Sequence, residues 1–175
     1  MKKRLFALAL AGVLAAATLT GCGSLKGDET VATVDDTKID ADLANFFARY
    51  TQATYETYYS AYLGEDMWNS DASDGETYEE SVKSSVLKSL EDMILLEKHM
   101  EDYDVSITDE DKAMIKETTQ QFLNDNSLDD KNLVSGNEKT VNRALTLMAV
   151  AISACAPAGS NSNKKGLEAY QNGDY

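Results

Sequence analysis

Two cysteines, a single histidine and a cluster of tyrosines are the residues of this chain whose types and spacing bear on chemistry. Cys22 closes the run Leu19-Thr20-Gly21-Cys22, behind Met1-Lys2-Lys3-Arg4 and an apolar stretch from Leu5 to Leu19. A basic start, an apolar stretch too short to remain as a spanning helix, and small residues at its end have the form of a secretory signal peptide. L-T-G-C at that point reads as a bacterial lipobox, which predicts cleavage before Cys22 and diacylglycerol on its thiol. Two acyl chains hold a protein at a bilayer stably where one is marginal. The expected product is an exported lipoprotein on the outer face of the bacterial cytoplasmic membrane, with 1–21 as its signal peptide.

Nucleophilic chemistry finds no support. His99 falls on the solvent side of a helical pattern, among Lys88 and Glu91, and no nucleophile is marked beside it. With Cys22 acylated, Cys155 alone remains, so no intramolecular disulfide is available. The acidic run 64–76 invites a calcium reading and fails it. Setting Gly75 at the sharp turn places Ser70, Ala72 and Asp74 at the first three ligand positions and Ser81 at the last. Calcium needs carboxylates at most of these places and a bidentate Glu at the end. No P-loop, GxGxxG or CxxC pattern is present. No catalytic residue, metal site or cofactor is therefore expected.

The remaining candidates are Tyr55, Tyr58, Tyr59 and Tyr62, with Met67 and Trp68 just beyond. Tyrosine combines apolar area with a polar tip, and methionine adds an adaptable surface. Such a set can grip varied polypeptide segments without demanding one sequence. It can equally pack beneath a neighbouring helix.

The elements that must position these residues follow from periodicity. Residues 22–30 are small and polar and read as a flexible tether. Val31 to Val34, then Ile39 beyond Asp35-Asp36-Thr37-Lys38, suit a short strand–turn–strand. Asp40 caps a helix to about Leu63, with Leu43, Phe46, Phe47, Tyr50, Thr54 and Ala61 on its core face and the tyrosines around the axis. Thr77 and Glu80 form a capping box that opens a second helix, expected to be the longest and to reach about Tyr103. Its stripe is Val82, Val86, Leu90, Met93, Leu96 and Met100, widened by Leu87 and Ile94. Thr108 caps a third helix carrying Met114, Ile115, Phe122 and Leu123; residues 124–137 read as a polar loop. A fourth helix runs from about Glu138 to Ile152 through Val141, Leu145, Met148 and Val150. From 153 to 175 the chain is small, polar and aperiodic, with the only proline, and reads as a disordered tail. The fold class is all-α, about four helices with a short N-terminal β-hairpin.

Charge narrows the partners. The chain has 16 Lys+Arg against 30 Asp+Glu; loss of Lys2, Lys3 and Arg4 with the signal peptide leaves 13 against 30, a net of −17. Nucleic-acid binding, which rests on cationic contacts to phosphate, is excluded. An anionic lipid surface repels such a chain, so the acyl anchor must hold it there. Cationic clients are attracted.

The order of these elements resembles the N-terminal region of PrsA- and SurA-type foldases. In that family an extracytoplasmic helical chaperone domain opens with a V-A-x-V-N-G-x-x-I hairpin and includes a V-x-I-T-D-E-E signature. Here these stand as Val31 to Ile39 and Val105 to Asp111, with Asp35-Asp36 in place of Asn-Gly. The match covers roughly residues 28–150. The resemblance implies a chaperone domain over 31–152 that binds unfolded or partly folded exported polypeptides, anchored to the bilayer through Cys22. Family members generally continue into a parvulin-type prolyl isomerase domain, with its own histidines and a glycine-rich segment, then return with a helix that completes the lobe. No such segment is present, so isomerase chemistry transfers to no residue here. A truncated or frame-shifted isomerase, and a non-catalytic interaction lipoprotein, stand as the alternatives.

Overall fold

The computed structural model describes residues 26–64, 66–73, 75–103 and 105–155. Cys22, the expected signal peptide and most of the expected tether and tail lie outside them. Strand β1 (Thr30–Val34) pairs antiparallel with β2 (Thr37–Asp40), in the register Thr33 to Lys38 and Val34 to Thr37, with an irregularity between Thr30 and Ala32. Asp35 and Asp36 make the two-residue turn, and Asp35 takes a φ of +52°. That left-handed conformation is costly for most side chains, and Asp is among the few that adopt it readily.

Helix α1 (Ala41–Leu63) follows directly. Asp40 Oδ1 accepts from the Leu43 N–H at 2.9 Å, the expected cap. Gly64, at φ +79°, stops the helix. A single 3-10 turn (Met67–Asn69) leads into a miniature hairpin of β3 (Asp71–Ser73) and β4 (Glu76–Thr77), so the expected acidic loop is folded. Helix α2 (Tyr78–Lys98) opens on the Thr77/Glu80 capping box. It ends five residues short of expectation and a 3-10 segment (Met100–Tyr103) takes over, which leaves α1, at 23 residues, the longest helix described.

Helix α3 (Asp109–Asp125) also opens on a capping box. Asp111 Oδ2 accepts from the Thr108 N–H at 2.8 Å, while Thr108 Oγ1 accepts from the Asp111 N–H at 3.1 Å. The ITDED segment is thus a helix start. The expected loop 124–137 contains a six-residue helix, α4 (Leu128–Leu133), capped by Ser127. Helix α5 (Glu138–Cys155) runs three residues past Ile152, taking Ser153 to Cys155 out of the expected tail.

The core forms where α1, α2 and α3 each pack against α5. Val141, Ala144, Leu145, Leu147, Ala149 and Val150 of α5 are almost wholly buried. Leu43, Phe46 and Phe47 enter from α1, and Ile115 from α3. On α2 the most buried positions are Val86, Leu90 and Ile94, one i,i+4 row within the broader stripe. Phe46 meets Phe122 edge-on, ring centroids 5.8 Å apart.

Polar ties gather at the hairpin end. Lys98 reaches Asp36 at 2.5 Å and Asp35 at 3.2 Å, joining the end of α2 to the hairpin turn. Arg143 of α5 grips Glu97 of α2 through two N–H···O contacts of 2.5 and 2.7 Å. Lys139 reaches Asp40 at 3.3 Å, and Asn45 donates to the Leu133 carbonyl at 3.1 Å.

Candidate functional site

Helical spacing gathers the tyrosines, and the turn after α1 decides which of them are covered. Tyr55 and Tyr59 stand one turn apart with centroids 5.3 Å apart. The Gly64 turn sends the chain back, so that Trp68 comes within 6.2 Å of Tyr55. The Tyr78 N–H then donates to the Ser70 carbonyl at 2.8 Å, drawing the start of α2 onto the same group. Tyr78 lies 5.8 Å from Tyr55 and 5.9 Å from Trp68. Tilted and edge-on pairs at these separations are favourable beyond the area they bury.

Trp68 is fixed by a polar contact as well. Its indole Nε1–H donates to Glu56 Oε1 at 3.0 Å, and Gln52 donates to the same oxygen at 2.8 Å. Arg49 in turn donates to Gln52 at 2.8 Å. Burial, more than its tyrosine neighbours, pushes the Tyr78 hydroxyl above its ordinary pKa, and burial does the same to Tyr50. These two hydroxyls therefore stay neutral at physiological pH.

The six expected binding residues therefore divide. Tyr55 and Trp68 are half-buried within the cluster. Tyr58 and Tyr62 stay outside, exposed by 46% and 87%, and Tyr59, in ring contact with Tyr55, keeps its outer side in solvent at 48%. Met67 is a correction: at 2% exposure it packs inward from the 3-10 turn and offers no outer surface. Tyr78 was missing from the sequence expectation. Its signal was its place at the first position of α2, directly behind the capping threonine, where a chain returning from a short hairpin must touch the helix it left.

The other candidates are placed apart from this face. His99 caps the end of α2, exposed, with Nδ1 2.8 Å from Asp102 Oδ2. Cys155 is exposed at the end of α5. Among the described residues no group of three or more His, Cys, Asp or Glu side chains could hold a metal ion. No described helix is long and apolar enough to cross a membrane.

A family model described as SurA-like N-terminal domain matches residues 1–135. The chain belongs to the SurA-like N-terminal domain family. Membership brings a chaperone-like, extracytoplasmic character with it. No curated protein and no solved structure matches the chain. The SurA-like segment holds the hairpin, α1 to α4 and the whole aromatic group, whereas α5 lies beyond the matched residues.

Proposed function

We propose that this SurA-like domain holds unfolded or partly folded exported polypeptides at the membrane surface, tethered through an acylated Cys22. The observation that supports it is the outer tyrosine group: Tyr58, Tyr59 and Tyr62 remain exposed on a helix whose other aromatic residues are packed. Contiguous exposed apolar surface on a folded domain marks a place where something binds. The inner cluster beneath stiffens the face, so a client meets an ordered surface and less entropy is lost on contact. Binding is reversible and needs no covalent step. The lipid anchor keeps this face near the membrane against the repulsion of a strongly acidic chain.

Aggregation of a reduced client, followed by light scattering, tests the reading. The chain comprising residues 22–175 should slow aggregation, and the combined Tyr58→Ala, Tyr59→Ala and Tyr62→Ala variant should lose most of that effect while keeping its far-UV circular dichroism. A well-folded wild-type chain that leaves aggregation unchanged would refute polypeptide holding. The anchor is tested separately. Metabolic labelling with a fatty acid should mark the wild type and leave Cys22→Ser unlabelled.

A further inference from the structure

We infer that the outer tyrosine face selects arginine-bearing segments over neutral or acidic ones of equal apolarity. The inference rests on the polypeptide-holding reading and names its client. Between Arg49 and Lys83 the chain has no Lys, Arg or His, while it carries eight acidic residues, six of the nine tyrosines and the only tryptophan. Both bounding cations are engaged: Arg49 donates to Gln52, and Lys83 pairs with Glu79 at 2.5 Å. The longest stretch of the chain without a cationic side chain is therefore the one that carries the exposed rings.

Glu56 touches Trp68 of the aromatic group, and Asp66, Asp71 and Glu76 lie in the turn and hairpin that bring Trp68 and Tyr78 to it. Glu56, Asp66, Asp71 and Glu76 are exposed, and none forms an ion pair among the described residues. Glu56 accepts only from the neutral donors Trp68 and Gln52 in the contacts above, so its charge is not cancelled. The last turn of α1 contains no basic residue, which leaves the negative end of its dipole beside Tyr62 uncompensated. A cation arriving here meets an aromatic face and a carboxylate together. Guanidinium suits that pairing better than ammonium. It is planar and weakly hydrated, stacks on rings, and presents a fork of donors to a carboxylate. The apolar stem of arginine also covers ring area.

The test uses the chain of residues 22–175 and tryptophan-free labelled peptides of one length and apolar content. They carry arginine, lysine, glutamine or glutamate at the same positions. Fluorescence anisotropy gives affinities, and Trp68 emission reports whether binding occurs at this face. The arginine peptide should bind about three- to tenfold more tightly than the glutamine one, and the glutamate peptide most weakly. The advantage should shrink as ionic strength rises from about 0.05 to about 0.5 M. Tyr62→Ala, at a site too exposed to threaten folding, should reduce the arginine preference. Glu56→Gln with Asp66→Asn should flatten the salt dependence. Equal binding of the arginine and glutamine peptides overturns the inference and leaves polypeptide holding intact. Lysine matching arginine also overturns it, since charge alone would then account for selection. Binding of no peptide at all refutes the holding reading instead.

Discussion

The two ends of α1 use aromatic residues in opposite ways. Near its start, Phe46 and Phe47 are buried in the core beneath α5, and Phe46 meets Phe122 edge-on. Near its end, Tyr55 is covered by a returning turn while Tyr58, Tyr59 and Tyr62 stay outside. The polar ties between distant elements follow the same division. Lys98 to Asp35 and Asp36, Lys139 to Asp40, Arg143 to Glu97 and Asn45 to Leu133 all lie at the hairpin end. At the other end, two ties are uncharged or local: Tyr78 is hydrogen-bonded with Tyr55, and Trp68 donates to Glu56 across the turn after α1. Phenylalanine has no polar tip and must be buried to contribute; a tyrosine can leave its hydroxyl in water and keep its ring at the surface. One helix thus has an end that holds the fold together and an end that the fold leaves available.

The sharpest way to break this comparison is to truncate one ring at each end. Phe46→Ala should cost about 3–5 kcal/mol, through lost burial and the cavity left behind. Tyr62→Ala should stay within about 0.5 kcal/mol of the wild type. Urea midpoints measure both, and similar losses at the two ends would erase the distinction. A smaller effect is expected from Arg143→Ala. It leaves Glu97 without its two-pronged partner in a partly solvated setting, so a loss of about 1–2 kcal/mol is expected in the same measurement.

The smallest effect is the share of the acid dependence that the hairpin turn contributes, beside that of Glu80 in the α2 cap, whose carboxyl is also held down by its hydrogen bonds with Thr77. The hydrogen bond from Lys98 holds the Asp36 carboxyl below its ordinary value, aided by a backbone hydrogen bond, and raises Lys98 in return. A lowered carboxyl contributes stability above the unfolded carboxylate range, about pH 4, and loses it as pH falls through the lowered folded value. Raised Lys98 contributes below its unfolded value of about 10.4 and loses that contribution as pH rises through the folded one. Urea midpoints of Asp36→Asn should therefore fall less steeply with acid than those of the wild type. Tyr62→Ala should keep the wild-type slope. A wild-type slope in Asp36→Asn would remove the Lys98 pairing from the account.

Much of this architecture was legible in the sequence because local rules and packing agree. Thr77 with Glu80, Thr108 and Asp40 each announced a helix start, and each caps one. Other features depended on distant partners. Asp35-Asp36 reads as a weak turn until Lys98 arrives from the end of α2 to pair with both carboxylates. The α2 stripe was legible as a face, but which row lies deepest was decided by α5. Met67 was read from composition as an exposed gripping residue, whereas the 3-10 turn points it inward. Tyr78 joined the aromatic group only through the miniature hairpin, whose pairing Asp71 to Thr77 no strong turn motif had marked. Short elements such as β3, β4 and α4 have too few residues for periodicity to show, and neighbours establish them.

The position of α5 in the chain has a consequence for timing. Residues 138–155 are the last of the described fold to leave the ribosome, yet α1, α2 and α3 all need them to bury Phe46, Leu90 and Ile115. Before they emerge, the earlier helices have only one another and the hairpin to pack against and lack the element that all three share, and an isolated amphipathic helix is marginal in water. Contacts that join early residues to late ones also delay folding in general. Such a chain stays threadable until synthesis has passed α5, which is the condition required of a polypeptide that must cross a narrow channel before it folds.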